Sequence, residues 1–288
     1  MSKYLIKGAS LYGEKVADIL IEDGVISRIA ENIDAADAQV VEAAGQVALP
    51  GLVDIHTHLR QPGYEASETV ETGTRAAALG GYTAVFAMAN SLPVADTAAV
   101  VEQVDRLGKE SAWCRVQPIG AVTVGLKGER LSDIGGMANS TANVRVFSDD
   151  GMCVYDPAVM RRALEYVKTF DGVIAQHAQE PRLTEGAQMN EGKVSADLGL
   201  AGWPAVAEEA IIARDVLLAE HLDSKLHICH LSTKGSIEVV RWAKSRGVKV
   251  TAEATPHHLL LTDETARTYD PVFKVNPPLR TEEDVMAL

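Results

Sequence analysis

Cysteine is scarce in this chain: Cys114, Cys153 and Cys229 are the only three in 288 residues, and none is spaced as Cys-x-x-Cys. An odd, scattered set excludes a disulfide framework and a thiolate zinc site, and predicts reduced thiols packed mostly as small apolar residues. Basic clusters are lacking as well. The longest Lys/Arg run is Arg161-Arg162 and the formal charge is -13, so neither nucleic acid nor an anionic membrane is an expected partner, and a small-molecule substrate suits the chain better. No uninterrupted apolar run reaches about 18 residues, and Met1-Ser2-Lys3-Tyr4 carries no basic leader before an apolar core, which makes the cytoplasm the expected location. Low-complexity segments and short-period repeats are also missing.

What remains is ordinary globular material, 47% hydrophobic and 23% charged. Its patterning changes near residue 50. Before that point Tyr4-Leu5-Ile6, Asp18 to Ile21 and Val25 to Ile29 read as short strands broken by Gly8, Gly13 and the turn Asp23-Gly24, so residues 1–50 are expected to form the N-terminal part of a small β-sandwich domain. Beyond it, β-branched apolar runs alternate with amphipathic stretches of helical length, the pattern of βα units on a parallel sheet. Seven strands are expected: Leu52 to His58, Tyr82 to Ala89, Cys114 to Val122, Val144 to Ser148, Val173 to Gln176, Leu226 to His230 and Val248 to Ala254. Helices are expected over Thr69 to Leu79, Thr97 to Leu107, Pro157 to Phe170, Ala205 to Glu220 and Ser236 to Arg246, the fourth burying a stripe of Ala207, Ile211, Arg214, Leu217 and Leu218. The fold class is α/β. Residues 51–288 are read as a (β/α)₈ TIM-like barrel with seven of its eight strands, because such barrels run to about 250 residues and Met286-Ala287-Leu288 lies in what reads as the helix after strand seven.

The chemistry starts at Asp54-Ile55-His56-Thr57-His58. Side chains alternate faces along a strand, so His56 and His58 point the same way, about 7 Å apart at their backbones, and neutral imidazoles so placed can share a divalent metal. Parallel barrels gather reactive groups at the carboxyl ends of their strands, where the βα loops form one mouth. Reading those ends in turn adds Asp150 after strand four, His177 on strand five and His230 on strand six. Each has a bland alternative: a hydrogen-bonded core histidine for His177 or His230, a turn before the helix cap at Asp156-Pro157 for Asp149-Asp150-Gly151. Four independent strand ends would have to mislead together. Five ligands exceed one tetrahedral zinc, which suggests two Zn²⁺ ions bridged by Asp150 and a hydroxide that attacks a polarised carbonyl. His227, three residues from His230, and the pair His257-His258 are read as structural.

These residues resemble the amidohydrolase superfamily and, within it, the dihydroorotases of the longer bacterial type. The matching stretches are His56-Thr57-His58-Leu59-Arg60, Met88-Ala89-Asn90, Phe147-Ser148-Asp149-Asp150-Gly151, His230-Leu231-Ser232-Thr233-Lys234 and Val275-Asn276-Pro277-Pro278-Leu279-Arg280, and the similarity runs along essentially the whole chain. The resemblance implies zinc-dependent, reversible cyclisation of N-carbamoyl-L-aspartate to dihydroorotate in pyrimidine synthesis. It implies zinc ligation by His56, His58, Asp150, His177 and His230, with Asp150 where many relatives carry a modified lysine, and substrate contacts at His58, Arg60, Asn90 and Asn276. An arginine two residues past the second histidine also suits a substrate carboxylate chemically, through its planar donor fork.

The family pattern continues with a strand-eight aspartate as general acid/base, followed by a histidine, which would lie beyond Leu288. The expectation for these 288 residues is therefore a C-terminally truncated chain with little turnover, since a general acid/base typically supplies about 10² to 10⁴ in rate. The alternatives are a hydantoinase, dihydropyrimidinase or allantoinase relative, opposed by the lack of any lysine between Lys127 and Lys168, and a non-catalytic subunit supporting a partner such as aspartate transcarbamoylase, opposed by the five retained ligands. A homo-oligomer is compatible with this reading.

Overall fold

A computed structural model describes residues 2–288. The chain divides after Leu52 into two compact units. The first is one mixed sheet of β1 (Lys3–Leu11), β2 (Lys15–Glu22), β3 (Val25–Ala30), β4 (Gln39–Glu42) and β5 (Val47–Ala48). β1, β2 and β3 are antiparallel neighbours, while β4 and β5 both run parallel to β1. The hairpin at Asp23-Gly24 has positive φ at both residues (49° and 81°), which a two-residue loop matching strand twist requires. Leu5, Leu20 and Ile33 form a small core beside the buried Asp18, whose carboxylate accepts the backbone N–H groups of Gly8 (2.9 Å) and Ile33 (3.0 Å). β4 and β5 are additions to the strands expected from sequence; both are too short to show a period.

The second unit alternates strands and helices. In chain order it contains β6 (Leu52–Thr57), α1 (Val70–Leu79), β7 (Tyr82–Ala87), α2 (Ala98–Ser111), β8 (Arg115–Pro118), α3 (Ile134–Asn139), β9 (Val146–Phe147), α4 (Pro157–Lys168) and β10 (Val173–Gln176). There follow β11 (Met189–Asn190), α5 (Lys193–Leu198), β12 (Gly202–Trp203), α6 (Val206–Leu222), β13 (Leu226–Ile228), α7 (Lys234–Ser245), β14 (Val250–Ala252), α8 (Pro256–Leu260) and α9 (Glu282–Ala287). β6, β7 and β8 lie side by side, as do β9, β10, β13 and β14. A parallel bridge between Gly120 and Phe147 joins the two groups, with Gly120 N donating to Val146 O (3.1 Å) and Ser148 N to Gly120 O (2.8 Å). A Cβ on Gly120 would sit 2.9 Å from both the Phe147 ring and Met137 Sδ, so glycine lets the two segments meet there. Seven strands thus stand next to one another in the order of the chain, each followed by helix, as repeated βα units dictate.

The ladders are shorter than the apolar runs suggested. Cys114 to Val122 pairs as a strand only over Arg115–Pro118, and Val248 to Ala254 only over Val250–Ala252, because residues nearer the strand ends turn into the loops that carry polar groups. The ribbon of β11 and β12 and the short helices α3, α5 and α8 lie within stretches where no period was visible.

Packing explains the strands' composition. All of β13 and three residues of β10 are buried, and Phe147, Ile174, Leu226 and Ile228 sit in the main core against Met160, Leu164 and Val167 of α4. Fully burying a side chain of that size contributes roughly 1.5–3 kcal/mol. α4 starts where Asp156 accepts the N–H groups of Ala158 (2.7 Å) and Val159 (3.0 Å) with Pro157 at the first helical position. The stripe expected on α6 is rotated: Ala207 and Ile211 are buried, but Leu217 is 52% exposed, and Glu208, Ile212, Asp215, Val216 and Ala219 face inward instead. Two acids can occupy that face because each has partners. Glu208 accepts from Ser232 N (3.0 Å) and lies 4.0 Å from Arg280, while Asp215 pairs with Arg214 (2.6 Å) and accepts from Gln176 (2.8 Å). The three cysteines are free, with Cys153 and Cys229 buried and Cys114 half-buried.

Candidate metal centre and active site

Every candidate ligand lies at or just past the carboxyl end of a wall strand. His56 is the penultimate residue of β6 with His58 just beyond, Asp150 follows β9, His177 follows β10 and His230 follows β13. Asp150 is held by the turn around it. Its neighbour Asp149 accepts the N–H groups of Val122 (2.8 Å) and Thr123 (2.9 Å) and the Thr123 hydroxyl, and Gly151 then turns the chain at φ +80°, where a side chain would strain the backbone and crowd Asn90 Nδ2 at 3.4 Å. Burial outweighs those hydrogen bonds on Asp149 and pushes its carboxyl up to about 6. Two other residues of the rim take positive φ without being glycine, Arg60 (59°) and His230 (32°). Such conformations cost of the order of 1–3 kcal/mol and cluster at functional sites.

The five groups meet. Asp150 Oδ1 lies 3.3 Å from His56 Nε2, 3.4 Å from His177 Nδ1 and 3.3 Å from His230 Nε2, and Oδ2 lies 3.3 Å from His58 Nε2. The outer nitrogens of three rings face acceptors: His56 Nδ1 donates to Glu253 Oε1 (2.5 Å), His58 Nδ1 to Asn90 Oδ1 (3.0 Å) and His177 Nε2 to Gln179 Oε1 (2.9 Å). With the outer nitrogens protonated, the inner ones turn lone pairs toward a carboxylate and, for His177 Nδ1 and His230 Nε2 at 2.9 Å, toward each other, which calls for a proton or a cation between them. A cation satisfies that arrangement. Zinc bonds of about 2.0–2.2 Å in a tetrahedron put ligand atoms about 3.4 Å apart, the spacing seen around Asp150.

The electrostatics of the protein alone carry the same demand. Burial works against a charged His56, yet hydrogen bonds to Asp150, Cys229 and Glu253 prevail and push it up to about 12, so a proton stays where a cation could sit. Burial would raise Asp150, but His177, His230 and His56 hold it well below the usual carboxylate range. His58 and His230 are lowered, burial outweighing the pull of Asp150. His56, Asp150 and His230 form one group with metal-type spacing; His56, Cys229 and Glu253 form another behind it. The second is a poor ligand set, because burial pushes the Cys229 thiol up to about 12 and His56 Nδ1 is already bonded to Glu253.

The remaining expected residues sit beside this cluster in different ways. Arg60 and Asn276 line the same cleft of about 640 Å³ as His56, His58 and His230, a size that suits a small ligand. Asn276 also donates weakly to Gln179 (3.4 Å). Asn90 stands behind His58 and points its amide at Asp150 (3.5 Å), a placement that makes it a support for the ligands as well as a candidate substrate contact. His258 is buried, with its Nε2 donating to Pro277 O (3.1 Å), an anchor for the loop of Asn276. A smaller apolar hollow of about 180 Å³ near Leu200, Tyr269 and Phe273 is reached by none of the five expected ligands.

Sequence reasoning missed Glu253 and Gln179. Glu253 immediately follows β14, the position rule that found the other ligands, but a carboxylate between Ala252 and Ala254 gave no spacing signal. Gln179 is two residues past His177, where alternation would have placed it on the same face.

The second unit is thus an α/β fold of parallel βα units whose strand ends bring metal-type ligands together, the architecture of amidohydrolase-type proteins. Solved structures agree on the fold: the L-hydantoinase (dihydropyrimidinase) of Arthrobacter aurescens superposes with a TM-score of 0.85 at 22% identity, covering 100% of this chain and 66% of that one. A family model described as dihydro-orotase-like matches residues 45–236. Dihydroorotase of Streptomyces coelicolor is 71% identical over 288 residues, covering 100% of this chain and 67% of the relative, and that of Mycobacterium tuberculosis is 54% identical over 286 residues, covering 99% and 66%. The chain belongs to the dihydroorotase family, and it spans about two thirds of the length of these relatives.

Proposed function

We propose that this chain carries the metal centre and the acid-binding part of a dihydroorotase active site, acting on the amide bond that closes N-carbamoyl-L-aspartate to dihydroorotate. The observation that carries the reading is the convergence of four imidazoles on Asp150, three of which (His56, His58 and His230) line a cleft together with Arg60. The proposed cofactor is a pair of Zn²⁺ ions held by His56, His58, Asp150, His177 and His230; Asp150 supports a bridging role because one of its oxygens faces three histidines and the other faces His58. When bound, the metal supplies a water acidified toward neutrality and polarises the amide carbonyl.

The residues' own contributions follow from their placement. Asn90 and Gln179 fix the tautomers of His58 and His177 so that lone pairs face inward. Arg60 offers a guanidinium for the carboxylate outside the reacting amide, which hydantoins and dihydrouracil lack. Asn276 can donate to and accept from the ring amide.

Binding and turnover of the zinc-loaded chain test this together. N-carbamoyl-L-aspartate should bind at least about tenfold more tightly than 3-ureidopropionate, which differs by one carboxylate, and any ring-opening activity should favour dihydroorotate over dihydrouracil. Equal binding of the two ureido acids, or a preference for dihydrouracil, overturns the proposal.

A further inference from the structure

Glu253 separates His56 from the other rim histidines. The rings of His58 and His177 are backed by neutral amide oxygens, of Asn90 and Gln179, whereas the ring of His56 is backed by a carboxylate at 2.5 Å. That carboxylate reaches more of the rim than its one short bond. Oε1 also accepts from the backbone N–H of His230 (3.3 Å), and Oε2 lies 3.3 Å from His227 Nε2, whose Nδ1 is 2.8 Å from the Thr251 hydroxyl. Its backbone is held by the strand next to it, Glu253 N donating to Ile228 O (3.1 Å) and Leu231 N to Glu253 O (2.8 Å). One carboxylate therefore spans from β6 to the loop after β13, with His227 near its other oxygen.

We infer that Glu253 is the positioning residue of the metal centre: by accepting the Nδ1–H hydrogen bond of His56 it orients that ring, makes its Nε2 the most electron-rich of the imidazole donors, and ties it to the segment carrying His230. A carboxylate behind a ligating histidine fixes the tautomer and raises the basicity of the coordinating nitrogen, and losing such a partner typically costs 10- to 100-fold in metal affinity. The amides behind His58 and His177 fix tautomers without that electronic push. Glu253 need not touch substrate for this role. The inference rests on the metal reading given above and adds the residue that sets its affinity.

The test is metal binding, read apart from activity. Zinc affinity is measured by competition with a chromophoric chelator, and cobalt is used in parallel because its visible absorption reports ligand field and geometry. The 288-residue chain is compared with Glu253→Gln and Glu253→Ala. Glutamine keeps the shape and its carbonyl oxygen can still accept the Nδ1–H hydrogen bond of His56, so it should lose affinity by roughly tenfold or less with a shifted cobalt spectrum, whereas alanine should lose roughly 10- to 100-fold. Asn90→Ala, which removes a neutral backing group, should lose less than Glu253→Ala. If both Glu253 variants bind zinc as tightly as the parent with an unchanged cobalt spectrum, or if Asn90→Ala costs as much as Glu253→Ala, the inference is overturned. Should the parent chain itself take up neither metal, the metal reading fails first, which distinguishes the two failures; circular dichroism on Glu253→Gln separates lost affinity from lost folding.

Discussion

The two halves of the histidine cluster are held in place by different forces. His177 and His230 follow strands that are mostly buried: β13 is wholly buried, β10 is buried at three of its four residues, and the two side chains are 3% and 9% exposed. His56 and His58 leave β6, where Val53 and Ile55 are 54% and 42% exposed, and their own side chains are 13% and 29% exposed. Packing confines the first pair, because a close-packed interior leaves a side chain few places to be, and Gln179 adds a hydrogen bond to His177. The second pair has fewer walls, so its orientation comes from hydrogen-bonding partners, Glu253 and Asn90. Within these 288 residues, core packing does more for the ligands after β10 and β13 and polar tethering does more for those at the end of β6.

Asp150 joins both halves, and its loss gives the largest expected effect. Asp150→Asn removes the charge shared by all four imidazoles, and zinc affinity by chelator competition should fall beyond the roughly 100-fold that outer partners command. Near-parental affinity would put the metal elsewhere.

The comparison itself is exposed by truncating one histidine from each half in the metal-free protein. His177→Ala opens a hole beneath core strands and should lower unfolding free energy in urea by about 2 kcal/mol, while His58→Ala, at the more exposed end, should change it by about 0.5 kcal/mol or less. Equal losses would mean that packing does not distinguish the halves.

An effect smaller than that of His177→Ala concerns the β14 side, where His258 anchors the loop of Asn276. Burial, with His257 beside it, pushes His258 down to about 4 from its ordinary 6.5. Between those values the unfolded chain binds a proton that the folded chain refuses, so this part of the stability is full above pH 6.5 and is lost as the pH falls toward 4. At pH 5.5 the loss should be about 1 kcal/mol. His258→Gln should flatten the stability profile over that window, and an unaltered slope in urea titrations at pH 7 and 5.5 would remove His258 from the account.

Much of this was legible in one dimension because strand ends follow a simple rule. A side chain's face is set by its parity along the strand and its height by where the apolar run stops, so His56, His58, His177 and His230 could be placed at a common rim before any coordinates. Glu253 obeyed the same rule and was passed over, since an isolated carboxylate among alanines has no partner in sequence to mark it. The stripe of α6 was misjudged for a related reason. Glu208 and Asp215 look like surface charges until Ser232, Arg280, Arg214 and Gln176, drawn from distant segments, are seen to satisfy them.

Local order therefore settled which elements form, in what succession, and which residues stand at strand ends, because periodicity, caps and turn chemistry act over a few neighbours. It also settled the family, through motifs that are contiguous. Only the folded chain decided which oxygen of Asp150 meets which ring, which groups lock each tautomer, and that a glutamate after β14 grips a histidine 197 residues earlier. Those are contacts between segments, made at separations where a few tenths of an ångström determine whether a lone pair meets a proton or a cation.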